Sequence, residues 1–236
     1  MQDTVIVIPV RVAAVRLPNK PLALIDDVPM VIHTARRAIE SNIGEVIIAC
    51  CGDEIYEVAE KYGIRAIKTD AELCSGTDRV NAAVSSVVDD YRFVINLQGD
   101  MPFIDPIIIV KIKELLEHPH VDIATAVAPL IDLEKMDNPN VVKAILTQDN
   151  RALYFTRAKA PFGQGTLYEH IGIYGYSIDV LTQFVQYEQT ELEKRERLEQ
   201  LRALEHDMKI YASIVTEAPV SVDTPEDLDT VRKLHS

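Results

Sequence analysis

Three cations fall within ten residues near the start of the chain: Arg11, Arg16 and Lys20. Pro18 and Pro21 stiffen the segment that carries them. Arg offers a planar fork of donors and Lys a compact point charge, and both match phosphate oxygens. Two acids stand at comparable places further along. Asp100 follows the apolar run Phe93 to Leu97 and a glycine, and Asp223 follows a short apolar segment just before a helix start. Two carboxylates from distant parts of a chain, completed by phosphate oxygens, can hold one Mg²⁺. On spacing alone Asp100 also reads as a turn aspartate and Asp223 as the residue outside a helix cap. Ser75-Gly76-Thr77 opens a helix, where free N–H groups suit an anion or a base edge, although a simple N-cap accounts for it equally well. Arg157 and Lys159 flank a Pro-Gly loop and could hold a carboxylate. His170 opens a glycine-bearing strand, a setting in which a lone histidine commonly makes a structural hydrogen bond. Glu199-Gln200 on a helix reads as a solvated face.

The elements that must position these groups come from hydrophobic periodicity. Val5-Ile6-Val7-Ile8 is an uninterrupted β-branched run that suits a strand buried on both faces, breaking at Pro9 into the cationic loop. A helix is expected from Pro29 to Ser41, a strand over Glu45 to Cys51, and a helix after Gly52-Asp53 that stops at Gly63. A short strand follows at Arg65 to Lys68, then a helix from Ser75 to about Val88 and a strand at Phe93 to Leu97. Pro106 starts a further helix with Ile108, Ile112 and Leu115 facing inward. This is β-α four times over, the pattern of a parallel sheet flanked by helices. In such folds ligands bind at the carboxyl edge of the sheet, where the cationic loop and Asp100 both fall. Neither a GxGxxG nor a GxxxxGK[ST] motif follows any strand, which disfavours a dinucleotide domain or a P-loop enzyme.

Past residue 120 the texture changes. Asp122 to Pro129, Val141 to Leu146 and Glu169 to Ser177 read as strands of a mixed extension, Ile178 to Tyr187 and Leu192 to Glu205 as helices, and Ile210 to Val215 as a last strand. Thr224 caps the final helix, with Pro225 at its first position and Asp227 closing the box. There is no repeat or linker, so one domain over 1–236 is expected.

Composition narrows the function. The 236 residues are 47% hydrophobic and 26% charged, ordinary for a water-soluble α/β chain. With 24 Lys and Arg against 37 Asp and Glu, the formal charge is −13, which argues against binding to nucleic acid or an anionic membrane surface. Three cysteines, two of them adjacent at Cys50 and Cys51, make neither a disulfide framework nor a zinc spacing. With no secretory leader pattern and no run of membrane-spanning length, a cytoplasmic location is expected.

Taken in order, the motifs carry a family resemblance over nearly the whole chain. They are Ile8-Pro9 with Arg11, Arg16-Leu17-Pro18 and Lys20-Pro21-Leu22; Ser75-Gly76-Thr77-Asp78-Arg79; Gln98-Gly99-Asp100 with Pro102; and Asn138-Pro139-Asn140 with Val142-Lys143. Ala152-Leu153-Tyr154-Phe155 with Arg157-Ala158, His170-Ile171-Gly172-Ile173-Tyr174, Leu198-Glu199-Gln200-Leu201-Arg202 and Val222-Asp223-Thr224-Pro225 complete the set. The chain thereby resembles the 3-deoxy-manno-octulosonate (Kdo) cytidylyltransferase family. The resemblance implies a three-layer α/β nucleotidyltransferase fold with a mostly parallel central sheet and a mixed extension, assembled as a homodimer. It implies transfer of CMP from CTP to the anomeric hydroxyl of a 3-deoxy-2-keto sugar acid, releasing pyrophosphate and serving lipopolysaccharide or capsule synthesis. By this likeness Arg11, Arg16 and Lys20 hold the triphosphate, and Ser75, Thr77 and Gln98 lie beside the nucleoside. Asp100 and Asp223 bind Mg²⁺, and Arg157, His170, Tyr174, Glu199 and Gln200 line the sugar site.

The chain departs from the family pattern in its first loop, where Val12, Ala14, Val15 and Asn19 stand. Asn19 replaces a glycine at a position that calls for positive φ, and Asn tolerates that better than other substitutes. Met101 replaces a Glu, and Cys50-Cys51 replaces Thr-Asp. Met101, with Leu97 and Phe103, raises the alternative of a related acceptor such as the 8-amino analogue of Kdo. The loop changes raise that of a nucleotide-binding homologue without turnover.

Overall fold

The β-branched run at the amino end forms the middle of β1 (Thr4–Arg11), in which Val5, Ile6, Val7 and Ile8 are wholly inaccessible to solvent. The structure, a computed structural model, describes residues 3–11, 17–87 and 90–235. The chain divides into two compact units, 1–110 with 219–236, and 111–218.

In the first unit β1 leads through a single 3-10 turn at Lys20–Leu22 into a small hairpin, β2 (Leu24–Ile25) and β3 (Val28–Pro29), which the sequence pattern did not announce. Then follow α1 (Met30–Glu40), β4 (Glu45–Cys51), α2 (Asp53–Lys61), β5 (Arg65–Lys68), α3 (Gly76–Ser85) and β6 (Phe93–Leu97). α4 (Pro106–Leu116) leaves the unit. The four long strands pair in parallel in the order β6-β1-β4-β5. From β1 the chain steps outward to β4 and β5, then crosses back to place β6 on the other side of β1. The direction of winding therefore reverses between β1 and β6, and the carboxyl ends of those two strands flank the crevice where open α/β sheets bind ligands.

β1 does not break at Pro9 as expected. It continues to Arg11, pairing Pro9 with Ala49 of β4, while its pairing with β6 ends at Val7. Pro9 thus sits beyond the last bond on one side, where a missing N–H leaves no ladder position empty. α3 also stops short of the expected Val88, ending at Ser85, where the Ser86 hydroxyl turns back to donate to the Ala83 carbonyl at 2.7 Å. In α4 the buried positions are Ile108, Ile109, Ile112 and Leu116; Leu115 is only partly covered.

The second unit contains β7 (Ile123–Leu130), α5 (Leu133–Asp137), β8 (Lys143–Leu146), β9 (Ala152–Thr156), β10 (Leu167–Ser177), α6 (Ile178–Phe184), α7 (Glu191–Glu196), α8 (Gln200–Glu205) and β11 (Ile210–Ile214). β11 runs parallel to β7, while the β7–β10, β10–β8 and β8–β9 pairs are antiparallel, the mixed sheet the sequence suggested. The helix expected over 192–205 is in fact two. Arg197 adopts left-handed backbone angles (φ 56°) and ends α7, and the buried Glu193–Arg202 pair, 2.6 Å apart, locks the two short helices together. The chain then returns to the first unit as α9 (Pro225–His235), capped as expected: Thr224 Oγ1 accepts from Asp227 N at 3.2 Å, and Asp227 Oδ2 from Thr224 N at 2.9 Å.

Candidate active site

A cavity of about 430 Å³ opens at the carboxyl ends of β1 and β6, within the size range of small-molecule sites. Its walls come from the end of β1 at Arg11, the 3-10 turn at Lys20, the approach to α3 at Cys74 to Gly76, the turn after β6 at Gln98 to Asp100, and Asp223 before α9. These are the sequence positions expected to meet, except that Arg16 lies outside the described residues.

The centre of the site is an ammonium between two carboxylates. Lys20 Nζ donates to Asp100 Oδ2 at 2.7 Å and to Asp223 Oδ1 at 2.9 Å. Burial alone would push the lysine pKa down, but attraction and hydrogen bonding from Asp100 and Asp223 outweigh it, and the net shift is upward. The ammonium is therefore charged wherever the protein is folded under ordinary conditions.

Local chemistry explains why each group arrives there. Asn19, just before the turn, takes φ 55°, the left-handed conformation expected at this position, which Asn enters more readily than most residues. Gly99 runs so close to β1 that a Cβ there would collide with the Val10 side chain. Its carbonyl also accepts from the buried Thr34 hydroxyl at 3.2 Å. The backbone then joins the two acidic segments directly, Val222 N donating to the Asp100 carbonyl at 2.9 Å. The spacing of Asp100 and Asp223 is thus set by main chain as well as by Lys20.

On the opposite wall α3 begins with a reciprocal cap. Ser75 Oγ accepts from Asp78 N at 3.1 Å, and Asp78 Oδ2 accepts from Ser75 N at 3.0 Å. Ser75 and Gly76 line the cavity, whereas Thr77 is only 2% exposed and lies beneath it. Thr77 belongs to a hydrogen-bonded chain that runs inward from the cavity wall: Gln98 Nε2 donates to Asn96 Oδ1 at 3.0 Å, and Asn96 Nδ2 to Thr77 Oγ1 at 3.3 Å. This relay fixes the Gln98 amide against the cavity wall, so Thr77 orients Gln98 from below rather than facing the cavity. Arg79, which the sequence marks only as part of a motif, lines the cavity while 3% exposed. Its guanidinium donates to the Thr69 hydroxyl and to the Asp70 carbonyl. The signal for it was its place four residues after the cap Ser75, on the same helical face. Of the residues behind the altered-acceptor reading, Leu97 and Met101 are buried and Phe103 is partly buried, and none of the three is among the residues lining the cavity.

The residues expected to bind the sugar lie in the second unit. β10 carries an irregularity between Ile171 and Tyr174, where residues 172 and 173 fall out of the ladder register with β7. In a regular strand residues four apart are about 13 Å apart. Here the bulge brings the His170 and Tyr174 rings to 5.5 Å. Thr125 Oγ1 donates to the Ile173 carbonyl at 2.8 Å, so His170 Nε2, 2.9 Å from the same oxygen, is the donor and Nδ1 remains an acceptor. Burial lowers the His170 pKa from 6.5 to about 3, so the ring is neutral. Burial, with the Glu199 carboxylate nearby, drives the Tyr174 hydroxyl pKa upward, so it too stays neutral. Gln200 is buried, and its Nε2 has no hydrogen-bond partner among the described residues, an open donor that a ligand could fill. Arg157 is more constrained than expected. Its Nε donates to the Glu196 carbonyl at 2.8 Å and its NH1 to the Pro139 carbonyl at 2.9 Å.

Among the described residues no group of three or more His, Cys, Asp or Glu could hold a metal by itself. The Asp100–Asp223 pair does fit a cation, since one already sits between them, but any divalent ion would need ligands from a bound phosphate and water.

Comparison with known proteins agrees with the geometry. A cytidylyltransferase family model matches residues 5–210. The 3-deoxy-manno-octulosonate cytidylyltransferase of Methylorubrum extorquens (strain PA1) is 50% identical over 240 residues, covering 99% of this chain and 97% of the relative. That of Paramagnetospirillum magneticum is 45% identical, covering 98% and 96%. A solved CMP:2-keto-3-deoxy-manno-octonic acid synthetase complexed with CTP superposes with a TM-score of 0.93 at 33% identity, covering 98% of both chains. The fold is thus the α/β nucleotidyltransferase fold, and with these matches over nearly the whole chain and a site built at the reversal between β1 and β6, the chain belongs to the 3-deoxy-manno-octulosonate cytidylyltransferase family.

Proposed function

We infer that the protein transfers CMP from CTP to Kdo, giving CMP-Kdo and pyrophosphate. The observation that carries this reading is the cavity between β1 and β6, where Lys20 is bound by both Asp100 and Asp223 in a chain 50% identical to a named Kdo cytidylyltransferase. In the reaction the anomeric oxygen forms a bond to the α-phosphorus as the α–β phosphoanhydride bond breaks. The hydroxyl proton is lost and pyrophosphate leaves. No covalent enzyme intermediate is needed, only alignment and charge neutralisation.

In this reading Arg11, Arg16 and Lys20 neutralise the triphosphate, and Arg79, buried in the wall, adds positive potential. Ser75 and the relay-held Gln98 amide face the nucleoside, which suits recognition of a base edge by hydrogen bonds. Asp100 and Asp223 would hold Mg²⁺, which when bound would draw off phosphate charge as it builds on the leaving group. His170, Tyr174, Glu199 and Gln200 are the proposed acceptor-binding groups: the neutral His170 and Tyr174, the Gln200 amide and the Glu199 carboxylate together offer donors and acceptors suited to sugar hydroxyls. Arg157 is the proposed partner for the carboxylate, with its remaining guanidinium donors.

A homodimer working in the cytoplasm completes the reading. Exposed apolar side chains of the second unit such as Ile131, Leu153 and Phe162 suit a subunit contact, and all three cysteines are free thiols. No helix among the described residues is long and apolar enough to cross a membrane.

The test is pyrophosphate release from CTP, Mg²⁺ and Kdo. Turnover is expected with the native protein and loss of about a hundredfold or more with Asp100→Asn. CTP binding without turnover on Kdo would favour the non-catalytic alternative.

A further inference from the structure

The ammonium of Lys20 occupies the ground a divalent ion would take. It contacts both carboxylates at 2.7 and 2.9 Å, and its side chain is only 17% exposed. We propose that Lys20 is an exchangeable placeholder: it holds Asp100 and Asp223 together before substrate arrives, and metal entry must displace it, which couples metal binding to nucleotide binding. The inference rests on the metal pair proposed above and concerns how that pair is loaded.

Three features of the site support it. First, the protein offers an ion two carboxylates and no third acid or imidazole among the described residues. Mg²⁺ gives up water reluctantly and relies on substrate phosphates where few protein ligands exist. An ion arriving alone must therefore break two charge-assisted hydrogen bonds while gaining few ligands. Second, the displaced ammonium has somewhere to go once a triphosphate is present, because Lys20 shares the cavity with Arg11. The exchange then turns one cation on two acids into two cations shared among acids and phosphates. Third, only the side chain has to move. The backbone of the turn is pinned, with Lys20 N donating to the Leu17 carbonyl at 3.1 Å and Leu22 N to the Asn19 carbonyl at 2.8 Å. The acid segments are tied independently by the Val222–Asp100 backbone bond. A compact ammonium on a flexible four-carbon stem suits such an exchange better than a guanidinium fork would.

The consequence is thermodynamic coupling. In the native protein, metal without nucleotide binds weakly, because it competes with a cation built into the chain. Removing that cation should release the competition, by an amount within the usual range for coupled sites.

The experiment is titration of the nucleotide-free protein with Mn²⁺, followed by calorimetry and by loss of the free-ion electron paramagnetic resonance signal. Lys20→Met is expected to bind Mn²⁺ about tenfold or more tightly than the native protein. Adding Asp223→Asn to that variant should abolish the gain, which locates the ion. Lys20→Met should also melt at a lower temperature without metal and recover more on adding Mn²⁺ than the native protein does. Lys20→Gln gives the same comparison should the methionine variant fold poorly. Binding of Mn²⁺ by both lysine variants that is no tighter than native would overturn the placeholder role. The same titration with CTP present separates this from the reading beneath it. If Mn²⁺ binds the native protein with CTP but not the Asp100→Asn variant, the metal pair stands whatever Lys20 does. If Mn²⁺ binds none of the proteins with or without CTP, the pair and the placeholder both fall.

Discussion

At the scale of single residues, the site depends on side chains that are absent as much as on those present. Gly99 lets the turn after β6 lie against Val10, and the next residue is Asp100. Gly99→Ala pushes a methyl group into Val10. Overpacking of this kind costs about 1–3 kcal/mol, and a shift of about 1 Å in a reacting group can cost roughly a hundredfold in rate. We expect turnover to fall by that order while the fold survives, and Val10→Ala in the same chain to restore part of it. No rescue would mean that Gly99 is needed for some reason other than room. His170 makes a separate prediction. Its folded pKa, about 3, lies below the ordinary 6.5, so as pH falls below 6.5 the unfolded chain binds a proton that the folded chain refuses. Its contribution is complete above pH 6.5 and drains away as the pH drops toward 3, at up to about 1.4 kcal/mol per pH unit. Urea unfolding at pH 7 and pH 5 should therefore show a smaller acid loss for His170→Gln than for the native protein. Equal losses would show that some other group titrates.

Secondary-structure elements decide which of these residues could be read in advance. Ser75 was legible because a cap with an acid three residues on is a local pattern; Ser75→Ala should cost about 1 kcal/mol of stability by chemical denaturation. The strands of the first unit were equally plain, since fully buried parallel strands are unbroken apolar runs. Asp100 and Asp223 stood out as acids at abrupt ends of apolar segments, but no local rule could show that Lys20 joins them, for the contacts span 80 and 203 residues. The second unit was less readable for physical reasons. Arg197 enters the left-handed region without being glycine, so α7 and α8 looked like one helix. The β10 bulge that gathers His170 and Tyr174 is hinted at only by Gly172. Lys143 is the strongest case. The sequence marks it only as part of a motif and a strand, yet it is wholly buried, donating to the carbonyls of Asn138, Val141 and Arg157 at 2.6 to 2.9 Å. Burial lowers its pKa, but three carbonyl acceptors satisfy all three ammonium protons. It thus clamps the loop before β8 to the end of β9, next to Arg157. Lys143→Met leaves those carbonyls unpaired and should destabilise the protein by about 3 kcal/mol in urea unfolding. A change below about 0.5 kcal/mol would mean that the loop finds other donors.

For the whole molecule the governing quantity is the formal charge of −13. Such an excess works against the compact state through self-repulsion, while local ion pairs work for it, and salt weakens both. The two effects differ in magnitude. Pairs such as Arg65–Glu45, Lys68–Asp53 and Lys159–Asp137 are exposed, so solvent screens them and each adds little to stability. The Glu193–Arg202 pair is buried, with side chains 6% and 8% exposed, so salt barely reaches it. Screening therefore removes little attraction and relieves repulsion among all the unpaired acids at once. Raising ionic strength from about 10 mM to about 150 mM shortens the Debye length from roughly 30 Å to 8 Å. We expect a gain of about 1 kcal/mol, seen as a melting temperature higher by roughly 2–4 °C. The salt should be sodium chloride, so that no divalent ion enters the Asp100–Asp223 pair and adds stability of its own. The Asp100→Asn variant should show the same rise, because the effect belongs to the distributed charge and not to the site. A melting temperature that falls with salt would mean that local ion pairs, rather than net repulsion, dominate the electrostatics of this fold.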